Sequence, residues 1–309
     1  MHQQPAEIHI LHENDAWTAP LVDQLEAASL PYRLWHLNRG AFDLDQPPPP
    51  GIYYSRMSAS SHTRGHRFAP EYAACVLRWL AQHRRRVIND HRALELELSK
   101  SAQYSALRAA GIRTPRTVIA VDRQSLIDAA RNFAAPFITK HNRAGRGKGV
   151  KLFERLADLQ AHLGSDEFEL SPDGITLLQQ YISSPEQCIV RVEFIGGKFV
   201  YAVRVDTAGS FELCPCDTES CGLPTPPQFS IIAGFDDPLV AQYEAFLRQS
   251  GVEVAAFEFV RDAAGTAYTY DINTNTNYNR AAEIRAKISA MARLSTFLGQ
   301  ELRNCSGAG

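Results

Sequence analysis

Two runs of β-branched and aromatic residues, separated by a short turn late in the chain, limit what this sequence can fold into. Residues 254–260 and 267–273 have the composition of β-strands, and residues 262–265 between them, Asp-Ala-Ala-Gly, have that of a turn. A connection this short joins antiparallel neighbours. The pattern therefore predicts an antiparallel β-hairpin.

Three oxygen-bearing side chains are expected on one face of this hairpin. Strand side chains alternate between faces, so Asp271 and Asn273 point the same way, and a loop of about four residues places Glu258 with them. In this register Glu258 lies opposite Thr269 and diagonal to Asp271. Such oxygens suit a hard divalent cation such as Mg²⁺, with Mn²⁺ as an alternative ion. The other interpretation is a pair of solvated acids beside a polar turn.

Composition limits the class of protein. With 45% hydrophobic and 21% charged residues, the 309-residue chain is typical of a soluble protein and is long enough for two or three subdomains. A net charge of −2 favours neither nucleic acid nor an anionic membrane as a partner. The sequence has no signal-like start and no apolar run of membrane length, so a cytoplasmic protein is expected.

The six cysteines are too dispersed to predict a disulfide framework. Cys214, Cys216 and Cys221 form the one cluster. Its Cys-x-Cys-x4-Cys spacing lacks the Cys-x2-Cys pair or nearby His that is usual at zinc sites. Zinc ligands are one interpretation, and buried or substrate-facing thiols are the other.

The amino-terminal part has an alternating α/β pattern, and a cationic loop follows one of its strands. The loop carries Arg56, His62 and Arg64 among several hydroxyl side chains, and ligands bind at such strand ends in open α/β sheets. If the loop is functional, its positive charge favours a substrate that carries a carboxylate or a phosphate. The other interpretation is a solvated basic loop with no ligand. The strands and the helix of this part are predicted at 7–11, 20–29, 32–37 and 51–57.

Apolar periodicity predicts four further helices. The last of them is expected to bury Ile284, and the second is expected to run without a break to Gly111. The four lie at 70–82, 93–110, 237–251 and 280–302.

Residues 141–149 form a glycine-rich loop between predicted strands at 136–140 and 149–153. Glycine lets backbone N–H groups approach a phosphate, and cations neutralise it. A strand follows the loop, whereas a helix follows a Walker loop or a Rossmann turn, so the loop is neither of these. The pattern favours a flap that folds over a nucleotide. Lys140, at the end of the preceding strand, is expected to reach the phosphates. The loop alternates three glycines with two cations: Gly145, Arg146, Gly147, Lys148 and Gly149.

Two arginines lie on strands that follow the flap. Arg191 and Arg204 occupy positions where a buried arginine needs a partner. They either face a polyphosphate or form an ordinary ion pair with an acid such as Glu193. The strands that carry the two arginines are predicted at 188–195 and 198–205, around a Gly196-Gly197 turn. Another strand is predicted before them at 175–182, and its end can present backbone groups to a purine.

In their order and spacing these motifs resemble those of the ATP-grasp superfamily and, within it, the RimK-like carboxylate–amine ligases. The resemblance extends over nearly the whole chain, and its parts fall in the predicted structural contexts. Those parts are Val87-Ile-Asn89, Lys100, Ala110-Gly-Ile-Arg-Thr-Pro115, Lys140 with the flap, Leu177-Leu-Gln-Gln-Tyr-Ile182, Arg191, Arg204, Glu258 and Asp271-Ile-Asn273.

The resemblance implies a fold class, α/β (α+β) with the ATP-grasp fold in three subdomains. A Rossmann-like α/β domain is expected at 1–92, a central lid domain at 93–182, and a C-terminal domain with an antiparallel sheet at 183–309.

The resemblance also implies a role for each matching residue. Nucleotide contacts are expected from Lys100, Lys140, Gly145, Gly147, Lys148, Gly149 and Val150 on the phosphates, from Gln179, Gln180, Tyr181 and Ile182 around adenine, and from Glu186 on the ribose. Metal ligands are expected at Glu258, Asp271 and Asn273, and catalytic groups at Arg191, Arg204 and Asn273. Contacts to an acidic substrate at Arg56, His62 and Arg64 are expected from the charge of the cationic loop rather than from the resemblance.

The sequence departs from the family pattern at three places. Ile189 stands where an acid often precedes the equivalent of Arg191, and Asp271 replaces a more usual Glu. Residues 274–279 replace a Pro-Gly. The ribose contact and the substrate side are therefore expected to differ.

The activity that the resemblance implies is ATP-dependent formation of an amide bond between a carboxylate and an amine, with Mg²⁺. A phosphotransferase and a non-catalytic ATP-binding module are the alternatives. The expected partners are a small-molecule acid and amine, with no nucleic acid and no membrane, and a homo-oligomer is left open.

Overall fold

The computed structural model describes residues 5–145, 147, 149–207 and 229–306, and these residues form three β-sheets with flanking helices. The sheets follow one another along the chain, and the division into three subdomains stays a prediction. Within these residues no helix has both the length and the apolar composition needed to cross a bilayer.

The first sheet is parallel, in the order β2-β1-β3-β4. One face packs on α1 and on the last helix of the chain through Leu21, Leu25 and Leu298, and the other packs on α2 through Trp79. Its elements are β1 (Glu7–His12), α1 (Asp15–Ala27), β2 (Tyr32–His36), β3 (Gly51–Arg56), α2 (Ala69–Gln82) and β4 (Arg86–Ile88).

The second sheet is antiparallel, in the order β5-β8-β6-β7. Two helices bury Leu126 and Leu159 against it, around Phe137. Its elements are β5 (Thr117–Ala120), α5 (Arg123–Arg131), β6 (Phe137–His141), β7 (Lys151–Phe153), α6 (Leu156–Gly164) and β8 (Thr176–Gln180).

The third sheet is also antiparallel, in the order β11-β10-β9-β12-β13. Its strands are β9 (Cys188–Ile195), β10 (Lys198–Asp206), β11 (Phe229–Ile231), β12 (Ala255–Arg261) and β13 (Ala267–Asn273). Helices α3 (His91–Leu98), α4 (Lys100–Ala109) and α7 (Pro238–Ser250) bury Tyr104, Leu107 and Tyr243 in the same core as Phe257 and Ile272. The chain ends in α8 (Arg280–Ala286) and α9 (Ala290–Ser306).

Three helix predictions were wrong in their bounds. Helix α1 begins at Asp15 rather than at Pro20, because the Asn14 side chain accepts a hydrogen bond from the Trp17 N–H (3.2 Å) and caps it. The closing helix is two helices, since Lys287 adopts a left-handed conformation with φ of 56°. Ile284 is 65% exposed, so its predicted burial was also wrong.

The predicted helix at 93–110 is divided at Ser99. This residue is extended (φ −139°, ψ 108°), and its hydroxyl accepts a hydrogen bond from the Ala102 N–H at 3.2 Å. Ser99 therefore ends α3 and caps α4. The break places Lys100 in the first turn of a helix that runs along the third sheet.

The hairpin of β12 and β13 has the predicted strands but a different register. Glu258 pairs directly with Asp271, and Phe259 pairs with Thr269, so Tyr270 is an extra residue in β13. The prediction that Glu258 lies opposite Thr269 was therefore wrong. The bulge brings the two carboxylates closer than the diagonal arrangement does, because directly paired residues are nearest neighbours on one face.

Asn89 fastens the first sheet to this hairpin. Its Nδ2 donates to the carbonyl oxygens of Val254 (2.7 Å) and Thr274 (2.8 Å), and its Oδ1 accepts from the N–H groups of Glu253 and Val254 at 3.1 Å. A buried amide with all of these bonds made is costly to replace. The end of β4 is thereby held beside the acid-bearing face of the hairpin.

Candidate active site

A cavity of about 450 Å³ lies where the three sheets meet. It is lined by residues from all three parts of the chain. The lining includes thirteen of the residues that the sequence predicts for the site: Lys100, Lys140, Gly145, Gly147, Val150, Gln179, Gln180, Tyr181, Ile182, Arg191, Glu258, Asp271 and Asn273. Concave sites of this size with convergent polar groups are typical of small-ligand binding.

The two carboxylates of the hairpin each have a cation beside them. Lys100 Nζ donates to Asp271 Oδ1, and Arg191 Nη1 donates to Glu258 Oε1 at 2.8 Å. Asn273 Nδ2 donates to the same Glu258 oxygen at 3.3 Å, so the three side chains share one face as predicted.

This donor set consists only of oxygens, which is the set that Mg²⁺ prefers. Among the described residues no group of three His, Cys, Asp or Glu is placed to hold a metal. The hairpin offers two carboxylates and one amide, which fits an ion that completes its shell with water and phosphate oxygens.

Arg191 is the centre of a buried network. Its Nε donates to Glu193 (2.6 Å) and its Nη2 to the Thr276 hydroxyl (2.5 Å), and that hydroxyl donates to Glu193 (2.8 Å). The ion-pair interpretation therefore describes Arg191, which also lines the cavity. Its contact with a polyphosphate stays a prediction. Its guanidinium is fixed by three side chains and has little freedom to move.

The two lysines differ in their electrostatic surroundings. Burial opposes the charged form of Lys100, but the Asp271 carboxylate outweighs it and holds the pKa above its usual value. Burial, and then the charge of Lys100, lower the pKa of Lys140 to about 7. Lys140 Nζ donates to the Tyr104 hydroxyl (2.5 Å) and has no acidic partner among the described residues. An anion placed beside it would restore its charge.

Glu97 belongs to the site and was missed. It lines the cavity, and its carboxylate accepts hydrogen bonds from the N–H groups of Ala59 (3.2 Å), Thr274 (2.8 Å) and Asn275 (3.3 Å). Burial raises its pKa. In the sequence Glu97 is one of several acids in an amphipathic helix, so nothing distinguishes it. Tyr104 was also missed, although it lies one helical turn from Lys100.

The four residues predicted to frame a purine all lie in the cavity wall: Gln179, Gln180, Tyr181 and Ile182. Their contact with a purine stays a prediction. Gln179 Nε2 donates to the Thr117 hydroxyl at 2.8 Å, which holds this side chain beside Lys140.

The glycine-rich loop connects β6 and β7, which pair antiparallel, so the predicted hairpin is present. Gly147 and Gly149 have φ of 72° and 73°, a conformation that glycine adopts without strain. A Cβ on Gly149 would lie 2.4 Å from the His141 ring. The described part of the loop also approaches the first subdomain, where Gly145 lies beside Ser60.

Gly149→Ala is expected to raise the Kd for a non-hydrolysable ATP analogue about tenfold or more, because the new methyl group must displace either the flap or the His141 ring. Gly174→Ala is the matched control. Its φ is 76° and a Cβ there meets no atom within 4 Å, so it adds the same backbone strain without the collision. Calorimetric titration with a non-hydrolysable ATP analogue measures the effect, and equal affinities in the two variants would contradict the steric argument.

Other predicted residues lie outside the cavity wall. Arg204 is half-exposed and donates to the exposed Glu186 at 2.5 Å, so the ion-pair interpretation describes it, with Glu186 as the acid. Arg64 makes a bidentate contact with the buried Glu13. His62 lies in the same loop, with its Nδ1 3.2 Å from the Ala59 carbonyl oxygen. The roles predicted for these residues stay predictions.

Arg56 is 2% exposed and lies behind the wall of the cavity. Ser58 and Ser60, from the loop that follows it, line the cavity itself. Lys148, Arg146 and the cluster of Cys214, Cys216 and Cys221 lie outside the described residues.

Residues 98–213 match the model of the RimK-like ATP-grasp domain. A search of the curated proteins found no match.

Solved structures of three enzymes are similar to nearly the whole chain. The ATP-grasp ligase PsnB, complexed with a minimal precursor, is 16% identical, with a TM-score of 0.69 over 96% of this chain and 100% of that one. A RimK domain ATP-grasp protein from Sphaerobacter thermophilus is 18% identical, with a TM-score of 0.66 over 94% of this chain and 99% of that one. D-cycloserine synthetase DcsG is 16% identical, with a TM-score of 0.64 over 96% of this chain and 99% of that one.

The chain therefore has the ATP-grasp fold, as the motifs suggested. The segment that matches the model of the RimK-like ATP-grasp domain carries both lysines, the flap and Arg191.

Proposed function

We propose that the protein is an ATP-dependent carboxylate–amine ligase that activates a small acid as an acyl phosphate and joins it to an amine. The observation that carries the proposal is the meeting of two lysines, a buried arginine and an acid pair in one cavity beneath a glycine-rich flap. PsnB and DcsG, a ligase and a synthetase, have the same fold and support the reaction class.

ATP would occupy the cavity with its base against residues 179–182 and its phosphates beside the two lysines. Lys140, uncharged for much of the time near pH 7, would gain a proton as the phosphates approach. Lys100 would exchange part of its contact with Asp271 for phosphate oxygens. The flap glycines would present backbone N–H groups to the same phosphates.

Glu258, Asp271 and Asn273 would hold Mg²⁺, which neutralises phosphate charge and orients the γ-phosphoryl group. PsnB with Mg and ADP bound is one of the structures that share this fold. Lys100 and Arg191 contact these two acids, and with the acid charges neutralised their own positive charge would be available to the substrates.

The reaction has two steps, and neither needs a protein nucleophile. An oxygen of the substrate carboxylate attacks the γ-phosphorus, the bond to the β-γ bridging oxygen breaks, and ADP leaves. The amine then attacks the acyl carbon, the carbon–oxygen bond breaks, and inorganic phosphate and one proton are released. Arg191, held rigid by Glu193 and Thr276, would stabilise negative charge as it develops at the acyl phosphate.

The proposal includes subdomain boundaries near 92/93 and 182/183, a reaction in the cytoplasm, and small-molecule rather than macromolecular substrates. The cavity volume of about 450 Å³, which suits a nucleotide and small substrates, supports the last point. Helices α3 and α4 pack on the third sheet, so the first part of the central segment belongs structurally with the C-terminal subdomain.

The test is phosphate release from ATP and Mg²⁺ by the full chain, over a panel of amino acids and small acids with and without amines. Hydroxylamine in place of the amine should trap the acyl phosphate as a hydroxamate. A phosphorylated product with an empty trap would indicate a phosphotransferase. Tight ATP binding with no turnover over the whole panel would indicate a binding module and would count against the ligase.

A further inference from the structure

Part of the cavity wall is built from residues to which no part of ATP is assigned. These residues are Trp17, Ser58, Ser60, Asn275 and Asn277. Their side chains are uncharged and most can form hydrogen bonds. The carboxamide oxygen of Asn275 is buried and accepts no hydrogen bond from the described residues.

Arg56 lies behind this part of the cavity wall. Its Nη2 donates to the Trp17 carbonyl oxygen and to Asn277 Oδ1, both at 3.1 Å. Its Nε and Nη1 are buried, and neither donates to any described atom. No acid among the described residues forms a hydrogen bond with this guanidinium, which is 2% exposed.

The other buried or half-buried arginines near the site are paired. Arg191 contacts two carboxylates, and Arg64 makes a bidentate contact with one. A buried cation without a hydrogen-bonded anion is destabilising, because other contacts replace only part of the hydration that burial removes. A guanidinium in a protein does not avoid this cost by losing its proton. An arginine in this condition behind the wall of a ligand cavity indicates a place for an external anion.

The nearest ligand of Arg56 at the cavity is the neutral amide oxygen of Asn277. A carboxylate at that position would make a charge-assisted hydrogen bond, and the planar guanidinium fork matches the two oxygens of a carboxylate. Arg56 is also close to the reaction centre along the chain of contacts, since Asn277 follows Thr276, which Arg191 holds at 2.5 Å.

We propose that, when the Asn277 side chain moves aside, Arg56 binds a second carboxylate of the acid substrate, distinct from the one that ATP activates. The inference rests on the proposed function and makes it more specific. The substrate class is a small acid with two carboxylates, of which one points to the phosphates and the other to Arg56.

Calorimetric titration of the full chain with Mg²⁺ and a non-hydrolysable ATP analogue tests this without turnover. The probes are succinate and L-glutamate, each compared with its half-amide of equal size, succinamate and L-glutamine. We expect a dicarboxylate to bind at least tenfold more tightly than its half-amide. Arg56→Met should abolish that preference, and Arg33→Met, which removes an exposed arginine of the same sheet, should retain it.

Asn277→Asp supplies a second test, which applies even if the protein does not fold without Arg56. The new carboxylate would lie beside the guanidinium and provide the missing partner. We expect a higher melting temperature than in the parent protein and about tenfold weaker binding of the dicarboxylate, because the site is already neutralised.

Three outcomes would overturn the inference: no binding of any probe, equal binding of dicarboxylates and half-amides by the parent protein, or a preference that survives Arg56→Met. Each differs from failure of the ligase assignment, which is absence of phosphate release or of the acyl phosphate. If the probes bind through Arg56 but no phosphate is released, the ligase is wrong and the anion site stands. In an active pair of substrates, Arg56→Met could weaken binding of the amine substrate alone. The carboxylate that Arg56 binds would then be part of the amine substrate, which contradicts its assignment to the acid substrate.

Discussion

Asp271→Asn is expected to lower the rate of ATP-dependent phosphate release at least 100-fold at millimolar Mg²⁺. The amide keeps the shape of the carboxylate but removes a charge that the metal site requires, since Glu258 then supplies the one remaining carboxylate of the proposed metal site. Activity over a range of Mg²⁺ concentrations measures the effect. Full activity at ordinary Mg²⁺ would refute the metal site.

The same change is expected to lower stability, because Asp271 is the acidic partner of Lys100. Leaving that ammonium without its anion should cost roughly 1–3 kcal/mol of the free energy of unfolding. From the sequence alone, an acid on a half-exposed strand is expected to leave the melting temperature almost unchanged. The double variant Lys100→Met with Asp271→Asn is the control, and it should recover most of the lost stability without recovering activity. An unaltered melting temperature in Asp271→Asn would show that the ion pair contributes little.

Lys140→Met is expected to raise the KM for ATP at least tenfold while leaving the fold intact. Methionine fills the volume of the buried lysine stem but supplies no charge to the phosphates. Lys198→Met, at an exposed lysine outside the cavity lining, is the control. Equal KM values for the parent and the Lys140 variant would remove Lys140 from the site.

The Lys140 variant should also differ in the pH dependence of its stability. The pKa of Lys140 is about 7 in the folded protein and roughly 10 in an unfolded chain. Between these values the unfolded chain binds more protons, so Lys140 makes the free energy of unfolding rise with pH, by up to about 1.4 kcal/mol per pH unit. Lys140→Met should lack this rise and should be more stable than the parent near pH 7. Parallel profiles in denaturant unfolding at pH 7, 8 and 9 would contradict the lowered pKa.

Nucleotide binding gives an independent readout of the same group. At pH 8 most Lys140 side chains are neutral in the free protein, and phosphate should recharge them. Titrations in buffers of different ionisation enthalpy should therefore detect uptake of up to about one proton per nucleotide by the parent protein. The Lys140 variant should take up fewer.

The secondary structure that is carried by local patterns was predictable from the sequence. The strand pair 254–273, the flap strands and the β9–β10 hairpin follow from alternating β-formers and turn glycines, which act over a few residues. Ser99 shows the limit of that reasoning. A serine is compatible with a helix interior, and its role as a cap depends on where the helix before it must end to pack on the third sheet.

The site was predictable as a set of residues but not as a set of contacts. Lysines, glycines and acids in a recognised order indicated the cavity, and thirteen predicted residues line it. The pairing of Lys100 with Asp271 joins positions 171 residues apart, and no local pattern specifies such a contact.

What the sequence by itself determined was the set of elements and the chemistry of the site: a hairpin with two acids, a glycine-rich flap, and cations near both. Only the tertiary structure decided which cation faces which acid, where β13 takes an extra residue, and that Arg56 is buried without an acid while Arg64 has one. The physical reason is that backbone propensity and apolar periodicity act between near neighbours in the chain. Ion pairing, desolvation and strand register depend instead on distant segments, which packing brings together.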